Sequence, residues 1–203
     1  IAGTLITILS YAVAVFAGWI TEFDLLEAFA VFTSYVCTIL VVFQRRINYV
    51  IGAISTAAYA ILFIQMDLVA SAILNIYLTP ALIYGWFRWH GDEKTRPAGF
   101  VQLSWWPVYF AVTGVFYFGA LGVVQFFGGR FAPSDSIILV GSILAQFLLD
   151  NKKIESWVVW AIVNVAAIYT YFNAELYLAG FQYLFFLGNT IFGGIMWYRS
   201  MKE

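Results

Sequence analysis

The sequence predicts an all-α integral membrane protein of eight transmembrane helices, and three observations predict it. The chain of 203 residues is 63% hydrophobic and only 10% charged, whereas a soluble domain carries about 25% charged side chains. Its apolar residues fall into eight runs, most of them close to the roughly 20 residues that a spanning helix needs. Every charged residue lies at the end of a run or in a short polar break between two runs.

The runs lie at roughly 2–20, 26–43, 47–65, 68–89, 103–127, 134–149, 155–172 and 176–198. The breaks are TEFD, QRR, QMD, RWHGDEKTRP, GGRFAPSD, DNKK and NAE. The first run has about spanning length and leads directly into further spans, so it is expected as a retained helix rather than a cleaved signal. Eight crossings put Arg45, Arg46, Arg88, Lys94, Arg96, Lys152, Lys153, Arg199 and Lys202 on one side, with Arg130 alone on the other. Basic residues mark the cytoplasmic face, so both termini are expected there.

Several function classes are disfavoured. A net charge of −1 points to no nucleic-acid partner. Cys37 is the only cysteine and sits in an apolar run, which leaves no disulfide framework and no metal cluster. The GxxxxGK[ST] phosphate loop of an ATP-driven motor is absent. The single histidine, His90, is in a loop. With no Asp, Glu, Lys or His mid-run, an ion-coupled pump lacks its relay and an enzyme lacks its nucleophile, base or metal.

An ungapped repeat runs through the chain. Residues 34–89 overlie 142–197 at a constant shift of 108, with the loop Gln44-Arg45 on Lys152-Lys153 and Asp67-Leu68 on Glu175-Leu176. Gly85 falls on Gly193 and Trp89 on Trp197. Each unit is three helices, and a single helix between them restores the same orientation. The sequence therefore divides into an accessory helix at 1–21, a first three-helix unit at 25–90, a loop and linker helix at 91–129, and a second unit at 133–203. This is a parallel 3+1+3 arrangement, of the kind that places a substrate near the midplane between halves. Pro80 and Gly188 are helix breakers at matching positions and are candidate hinges.

The stretch ESWVVWAIVN holds the candidate site. Trp157, Trp160 and Asn164 are spaced i, i+3, i+7 and share one helix face. An amide in hydrocarbon needs a partner, so that face is expected to turn inward. The repeat mates are Tyr49, Gly52 and Thr56. Asn75, Gln182 and Asn189 add amides in the fourth and eighth runs, with Gln146 a weaker candidate. Indoles stack on planar cations, and amides bind amides or hydroxyls. The competing reading makes the amides helix–helix glue and puts Trp157 in an interfacial belt. Trp86, Trp89, Trp105, Trp106 and Trp197 lie at run ends and are expected as belt residues.

At Glu155, Trp157, Trp160 and Asn164, an E-x-W-x-x-W-x-x-x-N pattern, the chain resembles the PnuC-type vitamin transporters. Tyr84-Gly85-Trp86 closing the fourth run, with Asn75 upstream, supports the resemblance. It covers runs two to eight. It implies a 3+1+3 fold related to the SWEET sugar transporters and nicotinamide riboside (vitamin B3) as substrate. It further implies facilitated diffusion, no cofactor, a homo-oligomer (a trimer), and a place in the bacterial inner membrane. Asn75 stands where the family pattern has glutamine. By the residues alone, thiamine or riboflavin remain alternatives, as does a membrane bundle with no ligand.

Overall fold

The computed structural model describes residues 2–19, 24–65, 69–89, 97–126, 128, 131–173 and 177–202. His90, Lys94, Arg96, Arg130 and the repeat pairs at 67–68 and 175–176 lie outside them. The described residues form eight α-helices and no strand. They are α1 (Ala2–Phe16), α2 (Leu25–Val42), α3 (Asn48–Gln65), α4 (Val69–Arg88), α5 (Trp106–Phe126), α6 (Ala132–Asp150), α7 (Glu155–Asn173) and α8 (Tyr177–Ser200). One 3-10 turn, Leu103–Trp105, leads into α5. All eight expected helices are present, with α1 ending earlier than its apolar run.

Helix ends follow local chemistry. Asp24 caps α2, its carboxylate accepting from the backbone N–H groups of Leu26 (2.7 Å) and Glu27 (3.0 Å), so two otherwise orphaned donors are satisfied. Pro133 and Asp135 occupy the first turn of α6, where a missing N–H costs nothing and a negative charge meets the positive helix end.

Among the described residues, four helices, in the segments Leu25–Val42, Asn48–Gln65, Leu103–Phe126 and Ala132–Asp150, are long and apolar enough to cross a membrane. Helix α5 has no buried residue, and Phe110, Phe116 and Phe118 are exposed along it. An apolar helix with no buried residue and aromatics open along it fits lipid and not water.

The chain divides into two compact units, Ile1–Arg96 and Pro97–Glu203. In the first, α1 lies on α2, and α2, α3 and α4 pack in succession. In the second, α5 lies on α6, and α6, α7 and α8 pack in succession. Ser10 Oγ and Tyr35 OH, 2.9 Å apart and buried, tie α1 to α2.

The same turn joins α2 to α3 and α6 to α7. Gln44 has φ 53° and Lys152 has φ 49°, both in the left-handed region that non-glycine residues rarely enter. In the first unit Gln44 N–H donates to Val41 O and Arg45 N–H to Leu40 O, each at 2.9 Å. In the second, Lys152 N–H donates to Leu149 O and Lys153 N–H to Leu148 O, each at 2.8 Å. Both are Schellman closures, which satisfy the last carbonyls of a helix and reverse the chain. Just beyond the turn, Tyr49 meets Trp89 edge-on (centroids 5.1 Å, 79°) and Trp157 meets Trp197 edge-on (5.3 Å, 82°). Edge-to-face rings of this kind attract beyond simple burial.

Trp89 and Trp197 were expected in an interfacial belt, and the structure corrects this. Trp89 is 6% exposed and Trp197 fully buried, because each is the wall against which the first aromatic of the neighbouring helix rests. Trp105 is exposed, as a belt residue is. Trp86 is half-buried beneath the Arg46 guanidinium, 3.7 Å from the ring centroid, and its carbonyl accepts from Arg46 Nε at 2.8 Å.

Close approach of α7 and α8 depends on Gly193. A Cβ there would collide with the Trp157 ring, whereas one at Gly188 would meet nothing within 4 Å. Gly193→Ala is expected to destabilise the protein by about 1–3 kcal/mol through overpacking, seen as a lower thermal midpoint in detergent. Gly188→Ala is expected to leave the midpoint unchanged or raise it, because alanine favours a helix over glycine by up to about 1 kcal/mol.

Candidate functional site

Helix α7 is sharply two-faced. Ser156, Trp157, Val163, Asn164, Ala167 and Thr170 are buried, while Val158, Ile162, Val165 and Tyr169 are exposed. The expected face of Trp157, Trp160 and Asn164 is the inward one.

The three residues have different surroundings. Trp157 is 6% exposed; its ring lies over Gly193 and Gly194 and edge-on to Trp197. Its Nε1 is enclosed without a hydrogen-bond partner, as is Ser156 Oγ. Trp160, one turn on, is half-buried, and its indole makes no hydrogen bond or ring contact among the described residues. Asn164 is 2% exposed, and its Nδ2 donates to Thr190 Oγ1 of α8 at 2.9 Å.

The matching face in the first unit is built differently. Tyr49 is fully buried against Trp89, so it serves packing as Trp157 does. At Gly52, where the second unit has Trp160, a Cβ would lie 2.8 Å from Cys37 Sγ and 3.3 Å from Leu82; the seam is closed. Thr56, where the second unit has Asn164, shares a hydrogen bond with Thr79 of α4, the two hydroxyl oxygens 2.9 Å apart. The Thr79 hydroxyl donates to Asn75 O at 2.9 Å, immediately before Pro80 within α4.

The remaining candidates are placed as follows. Asn75 and Asn189 are half-buried and Gln182 is buried; each has further interactions within the protein. Pro80 and Gly188 are both exposed within unbroken helices. Gln146 donates through Nε2 to Asp150 Oδ1 at 2.7 Å, so it serves a buried carboxylate at the end of α6.

Sequence reasoning missed Thr79 and Thr190, the hydroxyl partners of the central residues. The available signal was adjacency: Thr79 precedes Pro80 and Thr190 follows Asn189. It also missed what Glu155 does. Residues 97–101 lie against the α6–α7 turn: Gly99 N–H donates to Lys152 O and Ile154 N–H to Gly99 O, each at 3.0 Å. Glu155 Oε1 accepts from Val101 N–H at 2.9 Å, and Lys153 Nζ donates to Phe100 O at 3.0 Å.

Comparison with known proteins decides the family. The family of nicotinamide mononucleotide transporters matches over residues 24–199. The chain belongs to this family. Its members are transporters, not enzymes, and with four membrane-length apolar helices the chain is a multi-pass membrane protein. The nicotinamide riboside transporter PnuC of Escherichia coli is 27% identical over 208 residues, covering 88% of this chain and 87% of that one. The riboflavin/roseoflavin transporter RibM of Streptomyces davaonensis is 25% identical over 130 residues, covering 60% of this chain and 61% of that one. The crystal structure of the vitamin B3 transporter PnuC has the same fold, with a TM-score of 0.76, 24% identity, and coverage of 98% of this chain and 90% of that one.

Glu155 is thus a fastening residue in the α5–α8 unit. Replacing it with alanine is expected to strand the Val101 N–H and cost about 1–3 kcal/mol. The measurement is thermal unfolding, with hydrogen exchange at residues 99–101 rising relative to the centre of α7.

Proposed function

We propose that the chain is a facilitator that moves nicotinamide riboside into the cytoplasm down its own gradient. The observation that carries this reading is Trp160: a half-buried indole with no ring or hydrogen-bond partner among the described residues, one helical turn from a buried amide. An indole face attracts a planar cation by about 0.5–2 kcal/mol, and the pyridinium ring of the riboside is one. Asn164 is the partner for the amide or a ribose hydroxyl, and Asn75, Gln182 and Asn189 are further polar groups for the same guest. Trp157 supports the site from behind, packed on Gly193 and Gly194 of the same unit.

The family description names the mononucleotide, whereas the curated relatives are named for the riboside. Charge favours the riboside here. Every Asp, Glu, Lys and Arg in the eight helices sits in a first or last turn. A phosphate at membrane depth calls for Arg or Lys, and the helix centres offer neither. The same distribution supports transport without a coupled ion. Riboflavin is the second reading, favoured by the match to RibM.

The mechanism fits two three-helix units, α2–α4 and α6–α8, rocking to expose a central site to each side in turn, with Pro80 and Gly188 absorbing the bend. The recurrence at a shift of 108 of the left-handed turn residue, the Schellman bonds and the edge-on aromatic pair supports two copies of one design. The basic residues gathered on one side support cytoplasmic termini.

Binding is measured by quenching of intrinsic tryptophan fluorescence with nicotinamide riboside, and with riboflavin, thiamine and nicotinamide as comparisons. Trp160→Ala is expected to weaken riboside binding about 2- to 30-fold, matching the cation–π range, with the thermal midpoint preserved. Asn164→Ala is expected to weaken it at least as much. In liposomes, uptake is expected to ignore an imposed proton or sodium gradient. Wild-type affinity in both variants, or uptake driven by either ion, sinks the reading.

A further inference from the structure

We propose that Phe186, braced by Tyr183, is an outward aromatic station on the substrate path: a ring that receives a planar cation before it reaches Trp160. The station belongs to the same path as Trp160 and rests on the reading of that site as one for nicotinamide riboside. The chemistry recognised is a flat, delocalised cation, held by a ring face.

Helices α7 and α8 meet at three rungs, seven residues apart on each helix. Trp157 meets Trp197, Asn164 meets Thr190, and Tyr171 meets Tyr183 (centroids 5.3 Å, 42°). Seven residues make nearly two turns, so the rungs form one antiparallel seam. Trp160 lies between the first rung and the second, and Phe186 between the second and the third. Each is four residues from the Asn164–Thr190 rung, which sets it about 40° off the seam. Val158, Ile162, Val165 and Tyr169 of α7 are exposed on the other side of the seam, as are Ile191, Ile195 and Tyr198 of α8. Because the helices are antiparallel, the equal offsets put Trp160 and Phe186 on the same side of the pair, away from its exposed side.

Phe186 is half-buried. Tyr183 meets it edge-on (5.4 Å, 78°), Phe185 lies beside it (6.1 Å, 63°), and Tyr183 in turn rests on Tyr171 of α7. The ring is thus braced from both helices, and its face carries the negative end of the aromatic quadrupole, which attracts a cation. With the turn at Lys152 and Lys153 cytoplasmic, Phe186 lies outward of the Asn164–Thr190 rung and Trp160 inward of it. Four residues on either side of the rung separate the two rings by about 12 Å along the seam. One pyridinium ring cannot cover both, so it passes from one to the other across the polar pair. The first unit has the same distribution: Gly52, Thr56, Tyr59 and Phe63 share a face of α3, and outward of Thr56 the rings of Tyr59 and Phe63 stack (5.4 Å, 16°).

The test reads two quantities from the same variants: equilibrium binding of nicotinamide riboside by tryptophan quenching, and initial uptake into liposomes at riboside far below saturation. Thermal midpoints are measured alongside. Phe186→Leu removes the ring and is expected to slow uptake about 2- to 30-fold, the cation–π range, with affinity within about twofold of wild type. Phe186→Tyr and Phe186→Trp keep a ring and are expected to keep the rate. Replacing Phe186 with mono-, di- and trifluorophenylalanine drains negative charge from the ring face at nearly constant shape, and is expected to slow uptake in step. A residue that only packs is indifferent to that series. If the leucine variant does not fold, the fluorinated series decides alone. Uptake unmoved by fluorination overturns the inference. So does a loss of affinity as large as the loss of rate, which makes Phe186 part of the Trp160 site. Failure of wild type to bind or take up the riboside overturns the proposed function itself, and this inference with it.

Discussion

A side-chain amide at the depth of hydrocarbon has no water to turn to, so it is stable there only against another polar group. That constraint organises the α7–α8 pair. Asn164 is enclosed by α7's own neighbours and answered by Thr190 from α8. The answer requires the helices to stay close. Their spacing is set seven residues earlier on α7, where the Trp157 ring lies over Gly193 and Gly194 and ends edge-on at Trp197. Seven residues are about 10 Å of helix, so the aromatic lock and the polar pair act as two fixed points on one interface. A residue between them can be open without loosening the pair, and Trp160 occupies that interval.

The two tryptophans of α7 thus divide two tasks that a single motif leaves merged. Trp157 gives its surface to packing; the Trp160 indole is half-buried and makes no hydrogen bond or ring contact among the described residues. The same backbone plan in the first unit carries Tyr49 in the packing role and no side chain at all at Gly52, where Cys37 and Leu82 close the gap. One plan therefore yields an aromatic platform in one unit and a sealed seam in the other. The turn and the edge-on aromatic pair recur in both units. The position between them differs, an indole in one unit and a glycine in the other.

The fold was legible because its signals are periodic and redundant. Eight apolar runs, polar breaks and two basic loops in register each pointed to the helices that formed, and the inward face of α7 followed from an asparagine that could not face lipid. The partners were less legible. Thr190 lies one residue past the last amide of its stretch, yet nothing in one dimension says that its hydroxyl reaches Asn164 rather than its own helix carbonyl. Trp89 and Trp197 misled for a related reason: near Arg at a helix end they fit a belt, and only the α3–α4 and α7–α8 contacts reveal the aromatic partner that buries them. Position along a span is written in the sequence, whereas azimuth relative to a neighbour is written only where a strongly polar residue forces it.

Glu155 shows how far a motif residue can sit from the chemistry of its motif. Its carboxylate takes the N–H of Val101, and beside it Gly99 pairs with the backbone on either side of Lys153. The strand-like segment ahead of α5 is thereby sewn to the turn ahead of α7, and α5 lies on α6. The compact unit runs from Pro97 to Glu203 and contains α5 to α8. In the first unit the corresponding turn is held by other means, the Arg46 side chain gripping the Trp86 ring and carbonyl at the end of α4. Each turn, whose left-handed residue is costly for glutamine or lysine, is braced from outside the repeat's shared pattern. The α5 helix and α6–α8 accordingly hold together in one compact unit, joined at this turn by two backbone hydrogen bonds and the Glu155 carboxylate.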